Sequence, residues 1–150
     1  MNDPAFWSLI AKLDWAHEGD DESVVEPVVG ALAEMPVEEI AAFQNNLAAK
    51  LHAIDGRDWA RESGALIWWG EPNRLSVDGF LYSRCAVVAN GRDFYEAVLR
   101  DPKRTPKDIE FESLLLIAQW AYERKTGKED DVLDSTDVSF ETFSNESGWR

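Results

Sequence analysis

A chain of 150 residues has single-domain length and can bury about two thirds of the surface that its unfolded form exposes. Hydrophobic residues make up 45% of it, including seven Trp, seven Phe and three Tyr, which excludes disorder as the state of most of the chain. A formal charge of −14 argues against nonspecific nucleic-acid binding and against attraction to anionic membranes, both of which need a basic surface.

The charge is uneven along the chain. Residues 1–55 hold eleven acids and two bases, residues 56–107 seven and nine, and residues 108–150 eleven and four. Two acidic flanks therefore bracket a slightly basic middle, as a bipolar surface or as a solubilising shell. Residues 1–16 carry no basic segment followed by an apolar one, so no export signal is expected. The longest apolar run, 114–118, is too short to cross a bilayer. A single cysteine, Cys85, cannot form an internal disulfide, and the cytoplasm is the default compartment.

Asp3-Pro4 reads as a helix start, followed by Phe6, Leu9, Ile10, Leu13 and His17 at helical spacing. After an acidic turn over 18–22, Val24, Val25, Val28, Val29 and Leu32 mark a second helix, with Pro27 blurring its start. Pro36 opens a third, whose stripe runs Val37, Ile40, Gln44, Leu47, Leu51 and Ile54, with Phe43 beside it and Gly56 as its stop. A fourth helix is predicted over 58–69, and a loop over 70–77. The fifth covers about 78–89 and stops at Asn90-Gly91. A short sixth carries Phe94, Tyr95, Val98 and Leu99. Thr105 to Asp108 resembles a capping box that begins a long seventh helix through Ile109, Leu116, Ile117 and Trp120, closed by Thr126-Gly127. The expectation is an all-α single domain of six to seven helices over 1–127. Beyond it lies an acidic, partly irregular tail over 128–150, packed over the helices or mobile.

The segment Asp78-Gly79-Phe80-Leu81-Tyr82-Ser83-Arg84, then Val87-Val88-Ala89-Asn90-Gly91-Arg92 and an aromatic-rich turn ending in Asp101-Pro102, resembles the core pattern of a bacterial family, domain of unknown function 4240. Phe6-Trp7-Ser8-Leu9-Ile10, the 36–40 helix start, Asp58-Trp59 and Ala121 to Gly127 are similar in order and spacing, so the likeness spans roughly 4–127. It implies a helical fold and a bacterial origin, and no particular activity.

Among candidate site residues, Asp78, Arg84 and Arg92 are the sharpest constellation. With Asn73 and Arg74 they suggest an anion clamp. The competing reading is an Arg–Asp bridge that pins the 70–77 loop to the helix end, and the commonness of structural ion pairs gives it precedence. Tyr82, in the same motif, joins the candidate set. Trp68 and Trp69 suggest an aromatic docking surface or, with precedence, core. His17, His52 and Cys85 read as ordinary packing residues, and the acidic runs lack calcium-loop spacing. No phosphate loop, dinucleotide glycine set or nucleophile elbow occurs, so no cofactor and no metal is expected. The leading expectation is a non-catalytic, acidic protein-interaction module for a basic partner, of which a neutralising protein of the immunity or antitoxin kind is one concrete form. The alternatives are a small-anion-binding or enzymatic domain using the Asp/Arg constellation, and a self-associating scaffold.

Overall fold

Asn2 caps the first helix: its side-chain oxygen accepts from the Ala5 N–H at 2.9 Å, and Pro4 lies in the first turn, where its missing N–H costs little. The computed structural model describes residues 1–67, 74–129, 133 and 135–150. Among these residues the chain is all-α apart from one two-stranded ladder. The helices are α1 (Asp3–Ile10), α2 (Asp21–Ala33), α3 (Val37–Ala53), α4 (Arg57–Glu62), α5 (Val77–Ala89), α6 (Arg92–Arg100), α7 (Ile117–Thr126) and α8 (Glu146–Trp149). Strands β1 (Leu66–Ile67) and β2 (Arg74–Leu75) pair antiparallel, Leu66 opposite Leu75 and Ile67 opposite Arg74. None of the described helices is long and apolar enough to cross a membrane. Contacts divide the chain into two units: Met1–Ala48 with Ser113–Asp137, and Ala49–Glu112 with Val138–Arg150.

In unit 1, α1 stops seven residues before His17. Asp14 ends the run by accepting the Ala16 N–H with its side chain, which sets a short 3-10 turn over Trp15–His17. Asp20 then caps α2, accepting from the Ser23 N–H at 3.3 Å and the Ser23 hydroxyl at 2.7 Å. Those bonds hold its carboxyl below the ordinary aspartate range. Pro27 sits inside α2 on its exposed face, where water can satisfy the carbonyl that loses a helical donor. Val24, Val25, Val28, Val29 and Leu32 are all buried, as are Ala118 and Ala121 on α7, whose small side chains permit a close helix approach. Each buried Val or Leu contributes about 1.5–3 kcal/mol. Phe6 lies 5.1 Å from both Trp7 and Phe43, ring centre to ring centre. The α7 terminus is as predicted, with Gly127 left-handed at φ 72°.

In unit 2, α4 ends at Glu62, so the helix predicted over 58–69 is cut short. Gly64 turns the chain at φ 81°, and the Asp108 N–H donates to the Ser63 carbonyl there. The residues that follow enter the ladder, and Ser76 caps α5 by accepting the Gly79 N–H. α5 is buried on every face from Phe80 to Ala89, Tyr82 alone being half-buried. The capping box expected at Thr105 does not form. The Thr105 hydroxyl instead donates to the Pro102 carbonyl, and Asp108 adopts φ 59°. Residues 105–111 are irregular, a 3-10 stretch covers Glu112–Leu116, and regular helix begins only at Ile117. Tyr95 donates its hydroxyl to the Lys50 carbonyl, and Trp59 its indole N–H to the Val98 carbonyl.

Asp137 exchanges two hydrogen bonds with Asn45 in unit 1, at 2.8 and 2.9 Å. Residues 138–150 belong to unit 2 and end in α8, which the sequence reading does not anticipate.

Candidate functional site

The α3 stripe Leu47, Leu51 continues in phase to Asp55, which places a carboxylate on the buried side of the helix end. Asp55 is fully buried. Burying a carboxylate costs several kcal/mol unless partners replace water. Here they come from the C-terminal segment. Asp55 Oδ1 accepts from the Trp149 indole N–H at 2.9 Å and the Phe143 N–H at 3.3 Å. Oδ2 accepts from the Asn145 N–H at 3.0 Å and the Ser144 hydroxyl at 3.5 Å.

Arg84, only 1% exposed, reaches the same place from α5. Its guanidinium lies 4.0 Å from Asp55 and 4.8 Å from the Phe80 ring centre. It donates to the Leu51 carbonyl at 2.9 Å and the Thr142 hydroxyl at 3.1 Å. Burial lowers its basicity, and the neighbouring Asp55 charge opposes that shift. Thr142 passes its own proton to the Val77 carbonyl. Trp149 meets Phe80 edge-on at 5.8 Å. The ring Nδ1 of His52 sits 2.9 Å from the Ser139 carbonyl, and the His52 carbonyl accepts from the Asn145 side chain.

Among the described residues, the carboxylate that pairs with Arg84 is therefore Asp55, 29 positions away, and not Asp78. Asp78 is exposed in the first turn of α5, placed favourably against the helix dipole. Tyr82 is half-buried, and its hydrogen bond with Glu112 raises its phenol above the ordinary value. Arg92 lies on the surface of α6 and bonds Glu96 at 3.0 Å. The Arg74 backbone pairs with Ile67 in the ladder. Trp68, Trp69 and Asn73 lie outside the described residues. No motif surrounds Asp55 in the sequence, and its helical phase with Leu51 is the signal that marks it as an inward-facing carboxylate in need of partners.

An open cleft of about 270 Å³, lined by Asp58, Arg61, Glu62, Asp101, Pro102 and Lys103, lies elsewhere in unit 2. Its charges are of both signs, and Arg61 is already 3.8 Å from Asp58. Cys85 is buried, and burial pushes its thiol up to about 12, which keeps it protonated and unreactive. No group of three or more metal-ligating side chains occurs among the described residues.

No curated protein and no solved structure matches this chain. A family model described as protein of unknown function (DUF4240) matches residues 1–124, a span that includes His52, Asp55, Phe80 and Arg84, and the chain belongs to that family.

Proposed function

We propose that this chain is a non-catalytic, acidic protein-interaction module that meets a basic protein partner through unit 1. The supporting observation is how the charge divides. Residues 1–48 and 113–137 hold sixteen acids and four bases, a net −12, whereas the residues of unit 2 hold thirteen and eleven, a net −2. Such a field steers a cationic partner and raises the encounter rate. Within it, Trp15 is 43% exposed on the turn between α1 and α2, next to exposed Glu18, Asp20, Asp21 and Glu22. An aromatic anchor with a charged rim has the anatomy of an interface hot spot.

The concrete form of this reading is neutralisation of a basic protein, immunity- or antitoxin-like, in the cytoplasm of a bacterial cell. Neither nucleic acid nor membrane is a partner under it, and homo-oligomerisation is compatible with it. The alternative, small-anion binding by Asp78, Arg84 and Arg92, has less support, because Arg84 is buried on internal acceptors and Arg92 sits beside Glu96. The test is affinity capture from native lysate at low and high salt. We expect a basic protein retained at low salt and released at high salt, and lost when Trp15→Ala is combined with Glu18→Gln, Asp21→Asn and Glu22→Gln. Retention of nothing basic at either salt contradicts the proposal.

A further inference from the structure

Residues 138–150 hold to unit 2 by polar bonds more than by apolar burial. Phe143 is 52% exposed, Phe140 and Trp149 are half-buried, and Thr142 is their one buried side chain. Two of the four donors to Asp55 are backbone N–H groups, and His52 reads the Ser139 backbone carbonyl. Bonds of this kind follow the course of a peptide and transfer readily to another segment of similar shape. Side-chain specificity comes from the Trp149 indole, between Asp55 and Phe80, with the Thr142 hydroxyl on Arg84 and the Asn145 amide on the His52 carbonyl.

A second observation points to a ligand. Arg84 is buried, yet its Nε has no hydrogen-bond partner among the described residues. Buried donors are nearly always satisfied. Segment 138–150 fills the site while leaving that donor unmet. The family match, moreover, ends at residue 124, so the segment lies outside the matched span while the groups that receive it lie inside.

We propose that Asp55, Arg84, His52 and Phe80 form a peptide-recognition site that residues 142–149 occupy in cis. The external ligand is a segment of a partner protein that supplies backbone N–H groups and a tryptophan indole to Asp55, and an acceptor to Arg84 Nε. The C-terminal strap competes with that segment and sets the threshold for its binding. This site concerns unit 2 alone and is independent of the acidic surface of unit 1.

Gly148 provides the lever. A Cβ there would collide with the Asp55 carbonyl oxygen and lie 3.1 Å from Gly56 Cα. Gly148→Val therefore dislodges the strap end without altering any side chain of the site. The experiment titrates the full-length Gly148→Val chain and the unsubstituted chain with a fluorescently labelled peptide of residues 138–150, read by anisotropy, with far-UV circular dichroism reporting the fold. The variant is expected to keep its helical spectrum and to bind the peptide at least tenfold more tightly than the unsubstituted chain. A peptide carrying Trp149→Ala is expected to lose at least tenfold of that affinity. Equal binding by the two chains, undiminished binding of the Trp149→Ala peptide, or an unfolded variant each overturns the proposal. Hydrogen exchange on the unsubstituted chain gives a second reading. The Phe143 and Asn145 amides should exchange at least tenfold faster than those of α5, and equal rates would show a strap that never opens separately.

Discussion

Arg84 carries its charge into the interior, where a cation has to find partners that replace water. The motif around it singles it out, and the nearest acid in the chain, Asp78, suggests itself as its partner. Helix geometry instead sends the guanidinium inward, past Phe80, to Asp55 and the Leu51 carbonyl. A contact across 29 positions leaves no local spacing signature, so only the inward phase of Asp55 could have disclosed it. Arg84→Met removes both hydrogen bonds and the charge facing a buried carboxylate, and should destabilise the protein by about 3 kcal/mol in urea unfolding. A loss under about 1 kcal/mol would refute the role assigned to the pair. Cys85, by contrast, behaves as its sequence setting suggests. With its thiol pushed up to about 12, it should resist disulfide reagents at pH 8 in the native protein and react promptly once unfolded.

At the scale of elements, periodicity located what burial alone decides. α2, α3, α5 and α6 lie close to their predicted spans because their apolar residues recur at helical spacing between turn-forming residues. Boundaries failed where a tertiary bond overrode a local signal. Ser63 and Asp108 bond across 45 positions, which ends α4 early and leaves Asp108 left-handed, and so the predicted start of α7 at Thr105 is lost. Gly64→Ala tests that turn: an L-residue at φ 81° whose Cβ meets the Asp108 side chain should cost roughly 1–3 kcal/mol. In unit 1, Arg124 on α7 pairs bidentately with Glu26 on α2, at 2.6 and 2.9 Å. The hydrogen bonds to Arg124 hold the Glu26 carboxyl below its ordinary range. A lowered folded value means the pair stabilises above the ordinary glutamate range and loses its effect as pH falls through the lower, folded value. Both side chains are about half exposed, so a double-mutant cycle with Glu26→Gln and Arg124→Gln should give a coupling of roughly 0.2–1 kcal/mol at pH 7 that vanishes in strong acid. A coupling unchanged by acid would rule out the ionic account.

For the whole chain, the sequence reveals the excess of acid but not where it collects. Counted along the chain, the acidic residues form two flanks. Counted by contact, residues 1–48 and 113–137 join in one unit that carries a net −12. That grouping needs the tertiary fold, because it brings α7 against α2 from nearly opposite ends of the sequence. The most direct test of the proposed function is the ionic-strength dependence of the association rate with the captured basic partner, by stopped flow. The account predicts a rate that falls steeply with salt, and a shallower slope when Glu18, Asp21 and Glu22 are neutralised. Substitutions at Asp78 and Asp93 in unit 2 should leave that slope nearly unchanged. A rate indifferent to salt, or one slowed equally by charge changes in either unit, would contradict it.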